Sequence, residues 1–152
     1  MSDTEELRAR VDALEARLTW LTWLTPAAGL AAVLLVVTVL PWTRSTSGEP
    51  RAHTLWQAAA EDGGALAVLL LVLALVAVSV AVFGRREHSR VAHVYVLCLG
   101  IVVAGALLKA DYGPLPGALE AAEGKWIGLA GVLGLGTLHL WRAVVPVPEA
   151  NR

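Results

Sequence analysis

Two histidines that fall inside apolar stretches, His93 and His139, are the side chains of this sequence best suited to chemistry. Imidazoles on facing helices can ligate haem or a transition metal. Antiparallel neighbouring helices would set these two at similar depth. Neither lies in a haem-attachment spacing, and no second histidine pair and no carboxylate within an apolar block accompanies them. A histidine one or two turns inside a membrane interface is more often hydrogen-bonded to backbone or water. His93 and His139 are therefore the candidate cofactor ligands, while no cofactor and no metal are expected.

Other chemistries fare worse. The single cysteine, Cys98, follows His93 by five residues, about 140° around a helix, which is a poor arrangement for a nucleophile and its base. The expectation is that the protein is not an enzyme. A proton- or ion-coupled carrier needs ionisable groups near the bilayer midplane, but every Asp, Glu, Lys and Arg here falls at a block end or between blocks. The carboxylates Glu49, Glu61, Asp62, Asp111, Glu120 and Glu123 match no calcium-loop spacing and are expected to be solvated.

The elements that would position these groups are legible in the hydropathy. The chain of 152 residues is 57% hydrophobic and 16% charged, and its apolar residues come in blocks at 20–40, 65–83, 91–109 and 126–145. Each block can cross a hydrocarbon core of about 30 Å as a helix. Ser79 is the only polar residue of 65–83, so a soluble helix with a wet face is excluded there. Polar residues precede the first block, which argues against a cleavable signal and for a retained anchor.

The segment "VFGRREHSRVAHVYV", residues 82–96, carries Arg85, Arg86 and Arg90 between the second and third blocks. Arg8, Arg10, Arg17, Arg142 and Arg152 fall on the same side of a four-span layout, against Arg44, Arg51, Lys109 and Lys125 on the other. That bias puts both termini in the cytoplasm and explains the cluster as a topology signal, ahead of an anion or lipid site. Trp20, Trp23, Trp42, Trp126 and Trp141 stand near block ends, where indoles favour the interface. A net charge of −1 gives no reason to expect a nucleic-acid partner.

Residues 1–19 read as an amphipathic cytoplasmic helix, with Ser2 and Glu5 placed as a capping box. Leu7, Val11, Leu14, Leu18 and Leu21 repeat with 4-3-4-3 spacing. With Val11 and Leu18 at heptad position a, the leucines 7, 14 and 21 fall at d. Asp3 and Arg10 are then at g, and Arg8 and Glu15 at e, giving opposite-charge pairs Asp3–Arg8 and Arg10–Glu15 across a parallel dimer. Docking on the chain's own turn and lying on the membrane surface are the alternatives.

Between blocks one and two, residues 54–62 form a candidate short helix capped by Thr54 and ended by Gly63. Residues 118–123 form another. Small residues mark the later spans: Gly100, Ala104 and Gly105, then Gly124, Gly128, Gly131, Gly134 and Gly136. They allow close helix approach, and packing within the chain is favoured over a subunit interface. The residues 146–152 make a cytoplasmic tail.

Leu40, Pro41 and Trp42 close the first span, a polar outer segment ends in small residues, and Gly84, Arg85 and Arg86 make a tight basic turn. Over residues 20–145 this arrangement resembles uncharacterised small four-span membrane proteins of actinobacteria. The resemblance implies a cell-envelope setting and brings no active-site residues.

The expectation is an all-α, four-helix transmembrane bundle with an N-terminal coiled-coil-like helix, in the plasma membrane. Its expected role is that of a non-catalytic interaction or accessory subunit, homodimeric through its N-terminal helix or bound to another membrane protein. A small-solute pore or carrier, and a haem- or metal-bearing electron carrier, are the competing classes.

Overall fold

The computed structural model describes residues 3–45, 52–85, 89–109 and 119–145. Helix α1 (Asp3–Val37) is followed by strands β1 (Pro41–Ser45) and β2 (Ala52–Thr54) and the short helix α2 (Leu55–Glu61). Helices α3 (Gly63–Gly84) and α4 (Arg90–Lys109), strand β3 (Leu119–Ala121) and helix α5 (Glu123–Val144) complete the chain. Ser2, Glu49, Arg51, Arg86, Asp111, Ala118 and the 146–152 tail, all used in reading the sequence, lie outside the described residues.

The fold is an all-α four-helix bundle, and α1, α3, α4 and α5 are each long and apolar enough to cross a membrane. Only 22% to 39% of each apolar window is buried within the chain. Ile101, Val102, Leu108, Leu70 and Leu133 all face outward. In water that exterior would be strongly unfavourable; in lipid it is the natural surface. The chain is a multi-pass membrane protein on this ground.

Helix α1 runs without interruption from the polar N-terminal segment into the first span, so residue 19 is not a break. Pro26 lies inside it. Proline lacks an N–H and crowds the preceding turn, where the hydroxyls of Thr22 and Thr25 donate to the carbonyls of Leu18 and Leu21. A tight turn at Thr38, Val39 and Leu40 ends the helix, and Pro41 then starts an extended segment.

The linking segments contain a feature absent from the sequence expectation, a three-stranded sheet in the order β2-β1-β3. Thr43 pairs with His53 and with Ala121, antiparallel on both sides. The expected helix at 118–123 is therefore replaced by β3, because the extended backbone of β1 offers it a ladder. The other short helix has its expected cap, with Thr54 and Gln57 closing a capping box on α2, but it ends at Glu61, and Gly63 opens α3 instead of ending α2. Asp62 caps α3 by accepting from the N–H groups of Gly64 and Ala65.

Trp42 anchors the sheet to the bundle. It is buried, its indole N–H donates to the carbonyl of Val37 at 2.7 Å, and its ring lies against Gly128. The glycine face of α5 meets α1 and Trp42. A Cβ on Gly124 would stand 2.5 Å from the Pro41 carbonyl oxygen, and one on Gly131 would stand 2.8 Å from a Leu34 methyl. Gly134 is in ordinary contact range of Leu30, at 3.4 Å. On α4, Gly100 is buried but a Cβ there would meet nothing within 4 Å, while Ala104 packs against the core. Close approach is thus a property of α5.

Candidate functional site

The end of the bundle that carries Trp20, Arg85 and Arg142 is termed here the near end; the sheet marks the far end. Three helices bring polar side chains together inside the near half. Ser79 and Phe83 sit one turn apart on α3, His93 lies in the first turn of α4, and His139 lies near the end of α5. All four are buried, Ser79 and His139 fully. The antiparallel course of α3, α4 and α5 places an early residue of one at the depth of late residues of the others.

His93 Nδ1 and His139 Nδ1 are 2.8 Å apart. This is hydrogen-bond distance, so one nitrogen carries the hydrogen and the other accepts. On the far edge of the same ring, His139 Nε2 stands 3.2 Å from the Ser79 hydroxyl. Two arrangements satisfy the chain. Either Ser79 donates to His139, which donates to His93, or His93 donates to His139, which donates to Ser79. The two differ in the tautomer of both rings, and passing from one to the other requires, besides a shift along each link, a proton gained at Ser79 and one lost from His93 Nε2. What this geometry does chemically is satisfy three buried polar side chains through one another, with the tautomer of each ring set by its neighbour.

Phe83 encloses the pair. Its ring centroid lies 5.2 Å from that of His93, edge-on, and 4.6 Å from that of His139, tilted. The two imidazoles are 5.0 Å apart. These separations are favourable for aromatic contacts and hold both rings in place.

The two histidines, which the sequence sets only at similar depth, meet, but not in a ligating posture. A metal held between two imidazole nitrogens at about 2.0 Å from each, on opposite sides, needs them about 4 Å apart; here the facing nitrogens bond to one another. No group of three or more His, Cys, Asp or Glu side chains that could hold a metal occurs among the described residues. Cys98 is exposed while His93 is buried, so the structure does not bring that pair together.

Above the imidazoles, a notch opens at the near end between α1, α3 and α5, lined by Trp20, Trp23, Val82, Arg85 and Arg142, with Phe83 and His93 at its floor. The Trp20 indole donates to the Phe83 carbonyl at 3.0 Å. The Arg142 guanidinium lies over the Trp23 ring, 4.9 Å from its centroid, a cation–π contact. Arg142 thus folds back onto α1. Trp126 and Trp141 do face outward.

Two of the outer carboxylates have structural roles. Asp62 caps a helix, and Glu123 pairs with Arg44 at 3.3 Å on the surface. Lys125, counted as an outer-loop cation, is buried at the start of α5. Leu7, Val11, Leu14, Leu18 and Leu21 are all exposed, and residues 4–19 bury no face against the bundle. The helix docks on no part of the chain's own turn among the described residues.

Ser79 and Phe83 were not identified as site residues from the sequence. The signal for Ser79 was its isolation as the one hydroxyl of its span; Phe83 gave none. Comparison with family models, with curated proteins and with solved structures finds no match for this chain.

Proposed function

We propose that this protein is a non-catalytic, self-associating accessory subunit of the bacterial cell envelope, with both termini in the cytoplasm. One observation carries the reading: the apolar stripe Leu7, Val11, Leu14, Leu18 and Leu21 is 40% to 64% exposed on a helix continuous with the first span. A free stripe of this kind is unfavourable in water and suits a second copy in parallel register, with leucine at d and valine and leucine at a.

Charge complementarity supports the second copy as occupant. Asp3 and Arg10 at g would face Arg8 and Glu15 at e of the partner strand. In the single chain Arg10 bonds Glu6 at 2.6 Å, both exposed, and such a surface pair is readily exchanged. The heptad frame also continues into the membrane through Thr25, Ala28, Ala32 and Leu35, all outward-facing. The opposite side of α1, with Ala27, Ala31, Leu34 and Val37, is buried in the bundle. Small residues on a lipid-facing surface permit a second helix to approach closely. Two short heptads would be marginal alone; membrane anchoring in register raises the effective concentration of the partner strand.

The side assignment rests on the excess of basic residues at the near end, where Arg85 and Arg142 converge with the start of the first span. The envelope setting rests on the likeness of residues 20–145 to small four-span actinobacterial proteins. Cross-linking of the detergent-solubilised protein tests the reading: Leu14→Asp should abolish the dimer band, and an undiminished band would refute the coiled coil.

A further inference from the structure

We infer that Trp20 and Trp23 act as a latch that ties the N-terminal part of α1 to the ends of α3 and α5. Across a weak joint at Pro26, they hold the stripe from Leu7 to Leu21 turned outward for a second copy. The inference rests on the self-association proposed above and names the residues that orient it.

The first ground is the joint. Pro26 has no N–H to offer the Thr22 carbonyl, and the hydroxyls of Thr22 and Thr25 bond the carbonyls of Leu18 and Leu21 beside it. Prolines and back-bonded threonines are where long helices bend. Ala27, Ala31, Leu34 and Val37 pack α1 into the bundle only beyond this point. Their packing orients the helix on the far side of Pro26 and leaves the stripe, on the near side, dependent on other contacts.

The second ground is what those contacts are. Residues 4–19 are exposed, and Trp20, Trp23 and Leu24 are the first described residues of α1 to be partly covered. The Trp20 indole donates to the carbonyl of Phe83 at 3.0 Å. This is one of the last carbonyls of α3, for which a helix offers no partner of its own. The Trp23 ring lies against the Arg142 guanidinium in the last turn of α5. The near side is thus tied to two different helices, by a hydrogen bond and by a cation–π contact.

The third ground is direction. In the heptad frame Trp20 falls at c and Trp23 at f, about 160° around the helix from the line of the stripe. Contacts on the a or d side would cover the stripe. These turn it away from the bundle, where it is 40% to 64% exposed.

Electron paramagnetic resonance distances test the latch in the full-length protein in detergent, with spin labels at Ala9→Cys and Val91→Cys in a Cys98→Ser background. All three parent residues are exposed, and an excess of unlabelled protein confines the measurement to one chain. Ala9 lies about 25 Å along the helix from Pro26, so a bend of about 20° there displaces its label by about 9 Å. The labelled protein should give one narrow distance distribution, and Trp20→Phe with Trp23→Leu should widen it by about 9 Å. Adding Pro26→Ala, which restores the N–H at an exposed position, should narrow it again. A distribution still narrow without the two indoles overturns the latch, as does one that Pro26→Ala leaves wide. Trp20→Phe alone loses the N–H and keeps an aromatic ring, and decides in the same way where the double variant fails to fold. The dimer is read separately, from the inter-chain disulfide of Leu14→Cys in a chain without the labels. A disulfide that forms while the distribution never widens keeps the dimer and overturns the latch. A widened distribution with no such disulfide keeps the latch and overturns the dimer.

Discussion

His139 is bonded through both of its ring nitrogens, to His93 Nδ1 at 2.8 Å and to the Ser79 hydroxyl at 3.2 Å, in a part of the bundle closed to solvent. Polar groups withdrawn from water are costly unless partnered, and this chain of contacts partners them across three helices. Removing its middle member should leave the others without these bonds. His139→Leu is expected to lower stability by about 1–3 kcal/mol, read as thermal unfolding of helical circular dichroism in detergent. Combining it with Ser79→Ala and His93→Leu should cost less than the sum of the single losses. Strict additivity would show that the three side chains do not act as a unit.

The shared hydrogen has a spectroscopic signature. Nitrogen NMR of ¹⁵N-histidine protein should resolve one protonated and one unprotonated Nδ1 in the buried pair. In Ser79→Ala the balance of the two arrangements should shift, since one loses its donor hydroxyl and the other its acceptor, and the two losses differ in cost. Identical spectra in the two proteins would contradict the bond to Ser79.

Glycines on α5 and α4 should respond in opposite ways. Gly124→Ala places a carbon against the Pro41 carbonyl oxygen, and Gly131→Ala places one against Leu34. Each is expected to destabilise by about 1–3 kcal/mol. Gly100→Ala meets open space and replaces a weak helix former by a strong one, so its melting temperature should hold or rise. A fall at Gly100 as large as that at Gly131 would mean the helices pack by another face.

The seam proposed for α1 can be mapped by cysteine chemistry in a Cys98→Ser background. Leu14→Cys, at a d position, should form an inter-chain disulfide under mild oxidation; Ala13→Cys, one position away, should not. Equal yields would point to collision without register. Ala32→Trp, on the outward face of the span, should weaken the dimer while leaving the monomer's helix content unchanged.

For membrane orientation, reporter fusions at the C-terminus and within 41–64 should give opposite signals, with the C-terminus inside. A C-terminus reported outside would reverse every side assigned above.

The sequence by itself determined the four apolar helices, the Thr54 cap and the 4-3-4-3 stripe of the N-terminal helix. These are properties of consecutive residues, and hydropathy, capping and heptad spacing act within a single helix, over about one to six turns. Tertiary structure alone decided how far each helix is rotated and which depths coincide. That rotation turns Ser79 and Phe83 toward the two histidines, sets the α5 glycines against Leu34 and Trp42, and leaves the stripe from Leu7 to Leu21 uncovered. The pairing of β1 with β3 joins Thr43 to Ala121, residues too far apart in the chain for any local pattern to connect. A side chain's type limits the bonds it can make; only the packing of distant helices fixes which partner stands within reach.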